Sequence, residues 1–136
     1  MLVVDASAVT ELLLVRPAGA QVGAQFAEHE FAVHAPHLID VEVISALRRL
    51  VASGQAPAPR GEEAIVDLLD LPIERYPHDI LVPRVWQLRD NFSAYDAPYV
   101  ALAEALADDP VPLLTADPRL ARALQDHSDV PVVLAV

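Results

Sequence analysis

The segment around which the chain is organised is Met1-Leu2-Val3-Val4-Asp5-Ala6-Ser7. Its short apolar run with two valines is typical of a β-strand buried on both faces. The run stops at a carboxylate, and residues Ser7 to Leu14 have the pattern of a helix with Ser7 as its N-cap. We therefore expect Asp5 at the carboxyl end of an interior strand, where open α/β sheets bind ligands. Taken alone, Asp5 is equally well read as a turn residue.

Length and composition indicate one globular domain spanning residues 1–136, with 54% hydrophobic residues. The chain has no Cys, which excludes disulfides and thiolate chemistry, and all nine basic residues are Arg. Without a lysine, Schiff-base enzymes, P-loop enzymes and aspartate-based phosphatases are disfavoured. No apolar run approaches the roughly 20 residues of a membrane span, and no signal-peptide core is apparent. We expect a cytoplasmic protein.

The net charge of −11 restricts the partners. A free-standing nucleic-acid binder usually carries a basic face. An acidic chain is explained by general solubility, by a metal site built from carboxylates, or by a basic protein partner.

Strands and helices alternate along the rest of the chain. Strands are predicted at 31–34, 71–76, 111–114 and 131–136, and helices at 20–29, 37–53, 62–70, 78–89, 96–107 and 117–125. Residues 55–61 are predicted to form a loop. The alternation predicts a mostly parallel sheet covered by helices on both faces. Strand 71–76 contains a Pro and alternating charges, which favour an edge position.

Four acids follow predicted strands or loops at the starts of helices: Asp5, Glu42, Asp96 and Asp117. If the strands are parallel and interior, these acids meet at one sheet edge. Each also has a simpler explanation: helix capping for Asp96 and Asp117, solvation for Glu42. Asp40 and Glu42 flank the same apolar helix stripe, so periodicity does not choose between them.

A shared site of this kind has a chemical consequence. Several carboxylates close together raise one another's pKa values and stay ionised together only around a cation. Oxygen ligands without Cys or a convincing His pair favour Mg²⁺ or Mn²⁺. Such ions activate water and stabilise charge during phosphodiester hydrolysis.

With these residues identified, the chain resembles the PIN-domain family, and within it the VapC-type toxins of toxin–antitoxin pairs. Four segments in order carry the resemblance: Val3-Val4-Asp5-Ala6-Ser7-Ala8, Pro36 through Glu42 to Leu47, Tyr95-Asp96-Ala97-Pro98-Tyr99-Val100-Ala101-Leu102-Ala103, and Leu114-Thr115-Ala116-Asp117-Pro118-Arg119-Leu120-Ala121. The resemblance implies a three-layer α/β/α fold and Mg²⁺-dependent ribonuclease activity. It also selects Glu42 over Asp40.

For the site, the resemblance implies Asp5 and Asp96 as direct metal ligands. Glu42 and Asp117 would bind a second ion or a bound water, and Thr115 would support the site, with Ser7 close to the first acid. The family further implies a homodimer, an RNA substrate, and an antitoxin whose basic tail crosses the acids. The alternative is a PIN-fold protein that works mainly as a binding partner, with weak or lost nuclease activity.

The histidines, the tyrosines, two arginines and the tryptophan give weaker indications of function than the four acids. The histidines are spaced poorly for a zinc site. Tyr95 and Tyr99 are expected to pack in the core or rim rather than stack on RNA bases. Arg119 and Arg122 lie three apart near the site and are read as solvated charges. Trp86 belongs either to the core or to a dimer interface.

Overall fold

A computed structural model describes all 136 residues, from Met1 to Val136. Its five strands are β1 (Leu2–Val4), β2 (Val33–Pro36), β3 (Ile73–Tyr76), β4 (Leu113–Thr115) and β5 (Val132–Leu134). Its seven helices are α1 (Ala6–Leu13), α2 (Gly19–Glu28), α3 (Leu38–Ala52), α4 (Ala58–Asp70), α5 (Val82–Gln87), α6 (Ala97–Ala105) and α7 (Pro118–His127). No helix among them is long and apolar enough to cross a membrane.

The strands form one parallel sheet in the order β3-β2-β1-β4-β5, flanked by helices, which confirms the predicted α/β class. The first strand lies at the centre, where its three apolar residues, Leu2 to Val4, are completely buried on both faces of the sheet. β3 lies at an edge, as its Pro and its charges predicted. One hydrophobic cluster of 34 buried residues extends over the sheet and its helices.

The central pairing sets the position of the candidate site. Val3 of β1 pairs with His34 of β2 on one side and with Leu113 of β4 on the other. The Asp5 N–H donates to the Leu114 carbonyl at 3.1 Å. The carboxyl ends of β1 and β4 therefore lie side by side, and the residues that follow them face the same edge of the sheet.

The N-cap of α1 differs from the sequence prediction. Asp5, not Ser7, caps the helix: its backbone is extended, with φ −96° and ψ 172°, and its carboxylate accepts from the Ala8 N–H. Ser7 lies inside the first turn of the helix. Its hydroxyl is thereby free to contact residues outside α1.

Several element boundaries differ by two to four residues, and three of the shifts have a backbone reason. β2 begins at Val33 rather than residue 31, because Glu30 and Phe31 adopt positive φ angles of 55° and 59° in a tight turn. α4 begins at Ala58, inside the predicted loop, since Pro59 is tolerated in a first helical turn. α5 begins only at Val82, because Pro83 needs a first-turn position.

Candidate active site

Four carboxylates line one cleft at the carboxyl edge of the sheet. The cleft has a volume of about 280 Å³, and its lining includes Asp5, Glu42, Asp96 and Asp117. Asp5 directly follows β1, and Asp117 lies two residues beyond the end of β4. Glu42 lies in the second turn of α3, and Asp96 immediately precedes α6. The structure thus brings together all four acids that the sequence singled out.

Asp5 is the innermost of these acids, with 6% of its surface exposed. Three protein donors hold its carboxylate. The Ser7 hydroxyl donates to Oδ1 at 2.7 Å, the Ala8 N–H donates to Oδ1 at 3.0 Å, and the Thr115 hydroxyl donates to Oδ2 at 2.5 Å. The orientation of the carboxylate is therefore defined by α1 on one oxygen and by β4 on the other.

Both hydroxyls are themselves oriented by backbone amides. Ser7 Oγ accepts from the Ala116 N–H at 2.9 Å, and Thr115 Oγ1 accepts from the Asp117 N–H at 3.0 Å. The two hydroxyl oxygens lie 3.2 Å apart. Since each hydroxyl accepts from a backbone amide, its proton is directed at Asp5. Thr115 and Ser7 therefore support the first acid, and Thr115 is completely buried.

The burial of Asp5 opposes its ionisation. Desolvation raises the pKa of Asp5 to about 6, against the lowering effects of Thr115, Ala8 and Ser7, and the nearby charge of Asp117 raises it further. The Asp5 carboxylate is therefore fixed by three donors at a position where burial disfavours its charge.

Glu42 is positioned by a tyrosine from a distant part of the chain. The buried Tyr99 hydroxyl, on α6, donates to Glu42 Oε1 at 2.6 Å. Desolvation raises the pKa of Glu42, the Tyr99 hydrogen bond lowers it, and the charges of Asp96 and Asp5 raise it. Oε2 has no protein hydrogen-bond partner and is available to a ligand in the cleft.

Asp40 has a different role. Its carboxylate makes a bidentate pair with Arg75 of β3, with nitrogen–oxygen distances of 2.8 to 3.0 Å. Asp40 does not line the cleft. Helical periodicity could not decide whether Asp40 or Glu42 belongs to the site. Their tertiary partners decide it, because Asp40 pairs with Arg75 and Glu42 lines the cleft.

Asp96 and Asp117 complete the acidic wall. Desolvation raises the pKa of Asp96, with Arg119 lowering it and the charge of Asp117 raising it. Asp117 caps α7 by accepting from the Arg119 N–H at 2.9 Å, and the Arg119 guanidinium lies 3.4 Å from its other oxygen. The capping explanation for Asp117 is thus correct, and the residue also lines the cleft.

The cleft meets some of the needs of a divalent cation. The acids are oxygen ligands, and burial raises the pKa values of three of them, with a smaller raising effect from the neighbouring carboxylates. No three His, Asp or Glu side chains are arranged to hold an ion as they stand. Asp5, Glu42 and Asp117 instead accept hydrogen bonds from protein donors. The residues fit Mg²⁺ or Mn²⁺ in chemistry rather than in their present side-chain arrangement.

Two residues of the cleft were missed in the sequence. Arg49 lines it from α3, and Tyr99 holds Glu42. The signal for Arg49 was present, because Glu42, Ala46 and Arg49 are spaced four and three residues apart on one helix face. The sequence contained no comparable signal for the Tyr99 contact, which joins two separate helices.

The secondary residues divide between cleft, core and surface. Arg119 lines the cleft rim, whereas Arg122 lies 4.0 Å from Asp126 and remains at the surface. Tyr99 is buried, as expected, but Tyr95 is 64% exposed. Trp86 is 67% exposed and therefore not part of the core.

Comparison with known proteins identifies full-length relatives. No family model matches the chain. Ribonuclease VapC12 of Mycobacterium tuberculosis is 41% identical over 133 residues, covering 98% of this chain and 99% of that protein. Ribonuclease VapC9 of the same organism is 44% identical over 133 residues, with 98% of each covered. Ribonuclease VapC1 is 46% identical over 122 residues, with 89% of each covered.

Among solved structures, the crystal structure of PAE2754 from Pyrobaculum aerophilum has a similar fold. The TM-score is 0.69 at 20% sequence identity, covering 96% of this chain and 81% of that chain. The likeness is one of architecture.

Proposed function

The chain belongs to the VapC family of PIN-domain ribonucleases, and we propose that it is a divalent-metal-dependent endoribonuclease acting as the toxin of a toxin–antitoxin pair. The observation that carries the proposal is the cleft in which Asp5, Glu42, Asp96 and Asp117 converge. Asp5 and Asp96 would hold the ion, with Glu42 and Asp117 beside it. Mg²⁺ or Mn²⁺ bound there supplies a Lewis acid for phosphodiester hydrolysis.

The chain's own residues contribute orientation and charge. Thr115 and Ser7 direct their protons at Asp5 and keep its carboxylate in an acceptor-only arrangement. Tyr99 fixes Glu42 through Oε1 and leaves Oε2 to accept a proton from an incoming water. Burial raises the pKa of Glu42, which makes its carboxylate a stronger proton acceptor.

The partners follow from charge and exposure. A net charge of −11 and an acidic cleft suit a basic antitoxin tail, whose Arg side chains would compete with the metal for the acids. An Arg-rich peptide should inhibit cleavage, whereas the same peptide with Glu in place of Arg should not. A homodimer would bury exposed apolar side chains such as Val82 and Trp86, which lie four residues apart on α5. Trp86→Asp should then weaken the dimer in light scattering.

The decisive experiment measures cleavage of a mixed tRNA and rRNA pool by the purified protein with Mg²⁺, Mn²⁺ or EDTA. Asp96→Asn is the test variant, and Asp90→Asn is the matched control, because Asp90 is exposed and does not line the cleft. We expect cutting that requires metal, disappears in Asp96→Asn and persists in Asp90→Asn.

Two results would contradict the proposal. Equal cutting by the wild type and Asp96→Asn would indicate a contaminating nuclease. Absence of cutting by a folded, antitoxin-free protein, together with equal toxicity of the wild type and Asp5→Ala in cells, would favour the binding-partner alternative.

A further inference from the structure

A second cavity adjoins the acidic cleft. It has a volume of about 350 Å³, within the range of small-ligand sites. Its lining shares Ser7, Ala46 and Arg49 with the cleft, so the two form one continuous groove. Arg16 and Gln55 lie in the part that the acidic cleft does not reach.

The sign of the charge changes along this groove. The acidic cleft contains four carboxylates and two arginines. The second cavity contains Arg16 and Arg49 but only one acid, Glu11, and Glu11 already pairs with Arg16 at 3.2 Å. The chain has a net charge of −11, so its surface is negative on average. A cavity with an excess of positive charge beside the acids therefore has the opposite sign to the average surface.

Arg49 is the uncommitted cation of the groove. Six of the nine arginines form ion pairs with carboxylates: Arg16, Arg60, Arg75, Arg84, Arg119 and Arg122. Arg89 lies over the Trp86 ring at 4.3 Å. Arg48 and Arg49 alone have neither kind of partner, and only Arg49 lines both cavities. Its guanidinium is therefore available to an external anion.

We infer that the second cavity is a phosphate subsite for the RNA strand, and that Arg49 binds a backbone phosphate next to the one in the acidic cleft. The inference rests on the proposed ribonuclease function and adds a substrate-binding residue to it. Guanidinium groups bind phosphate oxygens through two parallel N–H donors, which fits a residue shared by two neighbouring cavities. Gln55 lies farther along the groove, where one of its two amide N–H groups donates to Ser53 Oγ at 3.1 Å. The other N–H is an uncharged donor for the same strand.

A simpler explanation has to be separated from this one. Arg49 lies in the last turn of α3, where a cation stabilises the helix dipole. Arg48 is its neighbour on the same helix, is also exposed, and lines a different groove between α3 and α4. Arg48→Ala thus removes the same charge at the same helix end without touching the proposed subsite.

The test measures binding of a fluorescein-labelled tRNA pool in an Asp96→Asn background, at several NaCl concentrations. We expect Arg49→Ala to weaken binding about tenfold, the loss expected for one charge-assisted contact. The slope of log affinity against log salt should fall by about 0.7, corresponding to one single-strand phosphate. Arg48→Ala should change affinity less than about twofold, and Arg49→Lys should restore the salt slope.

Kinetics in the otherwise wild-type protein provide the second readout. Arg49→Ala should raise KM and leave kcat within about twofold, since the contact is made with bound RNA before and during cleavage. Equal effects of Arg49→Ala and Arg48→Ala would overturn the subsite while leaving the ribonuclease proposal intact. Arg49-dependent binding without any cleavage would overturn the ribonuclease proposal alone. A wild type that neither binds nor cleaves RNA would overturn both.

Discussion

Replacing Asp5 by Asn should stabilise the metal-free protein and abolish its activity. Asp5 is buried, and its raised pKa shows that the fold disfavours the ionised form. Asn has nearly the same volume and retains one oxygen to accept the Ala8 N–H. The same oxygen still accepts from the Ser7 hydroxyl, and the Thr115 hydroxyl can rotate to accept from the new amide. The substitution therefore removes a buried charge with little change in packing.

The size of the effect follows from the pKa. Ionised Asp5, with a pKa near 6 instead of 3.8, costs the fold about 3 kcal/mol at neutral pH. Because the folded state binds the proton more tightly, the penalty that Asp5 imposes on wild-type stability shrinks as pH falls through 6 towards 3.8. Asn has no such titration. The stability advantage of Asp5→Asn should thus fall by about 2 kcal/mol between pH 7.5 and pH 4.5.

The assay is urea denaturation in EDTA, followed by far-UV circular dichroism at pH 7.5, 6.0 and 4.5. Each variant is compared with the wild type at the same pH, so that the titration of other acids cancels. Asp90→Asn, at an exposed position, serves as the matched control and should show a difference near zero at every pH.

A difference between Asp5→Asn and the wild type that does not depend on pH would refute the reasoning. So would an advantage that grows on acidification, because that result would mean the folded state favours ionised Asp5. Full nuclease activity in Asp5→Asn would refute its assignment to the site.

Three further predictions concern two residues that hold the acids of the cleft and one acid outside it. Tyr99→Phe removes the 2.6 Å hydrogen bond to Glu42; urea denaturation should show a loss of about 1–2 kcal/mol, and cleavage should slow. Thr115→Val removes the 2.5 Å donor to Asp5, so the acidic limb of the pH–rate profile should move to higher pH, whereas Thr115→Ser should leave it in place. Asp40→Asn breaks the half-buried pair with its arginine partner on β3; it should cost about 1 kcal/mol in denaturation and leave kcat unchanged.

Local patterns in the sequence predicted the architecture because they report short-range physics. The apolar run before Asp5 specified a doubly buried strand, and the strand is the completely buried centre of the sheet. The Pro and charges of residues 71–76 specified an edge strand. The spacing of apolar residues in a strand or a helix is set within a few residues. It can therefore be recognised in the sequence without knowledge of the fold.

The first and last residues of helices were harder to predict where proline, and not the pattern of apolar side chains, determines where a helix can begin. Pro59 and Pro83 moved the starts of α4 and α5 in opposite directions, because a first-turn Pro can begin a helix but cannot lie inside one. The sequence predicts Ser7 as the N-cap because hydroxyl side chains are good caps. In the structure the N-cap is Asp5, whose backbone is extended and whose carboxylate accepts from the Ala8 N–H.

The acidic edge itself was foreseeable from the sequence, since parallel strands bring the residues after their carboxyl ends together. The division of roles within it was not. Asp40 forms an ion pair with Arg75, 35 residues later in the sequence. Glu42 accepts a hydrogen bond from Tyr99, 57 residues later. Thr115 reaches Asp5 across 110 residues. These partners are chosen by distances between elements that meet only when the sheet and its helices pack, and no periodicity within one segment contains that information.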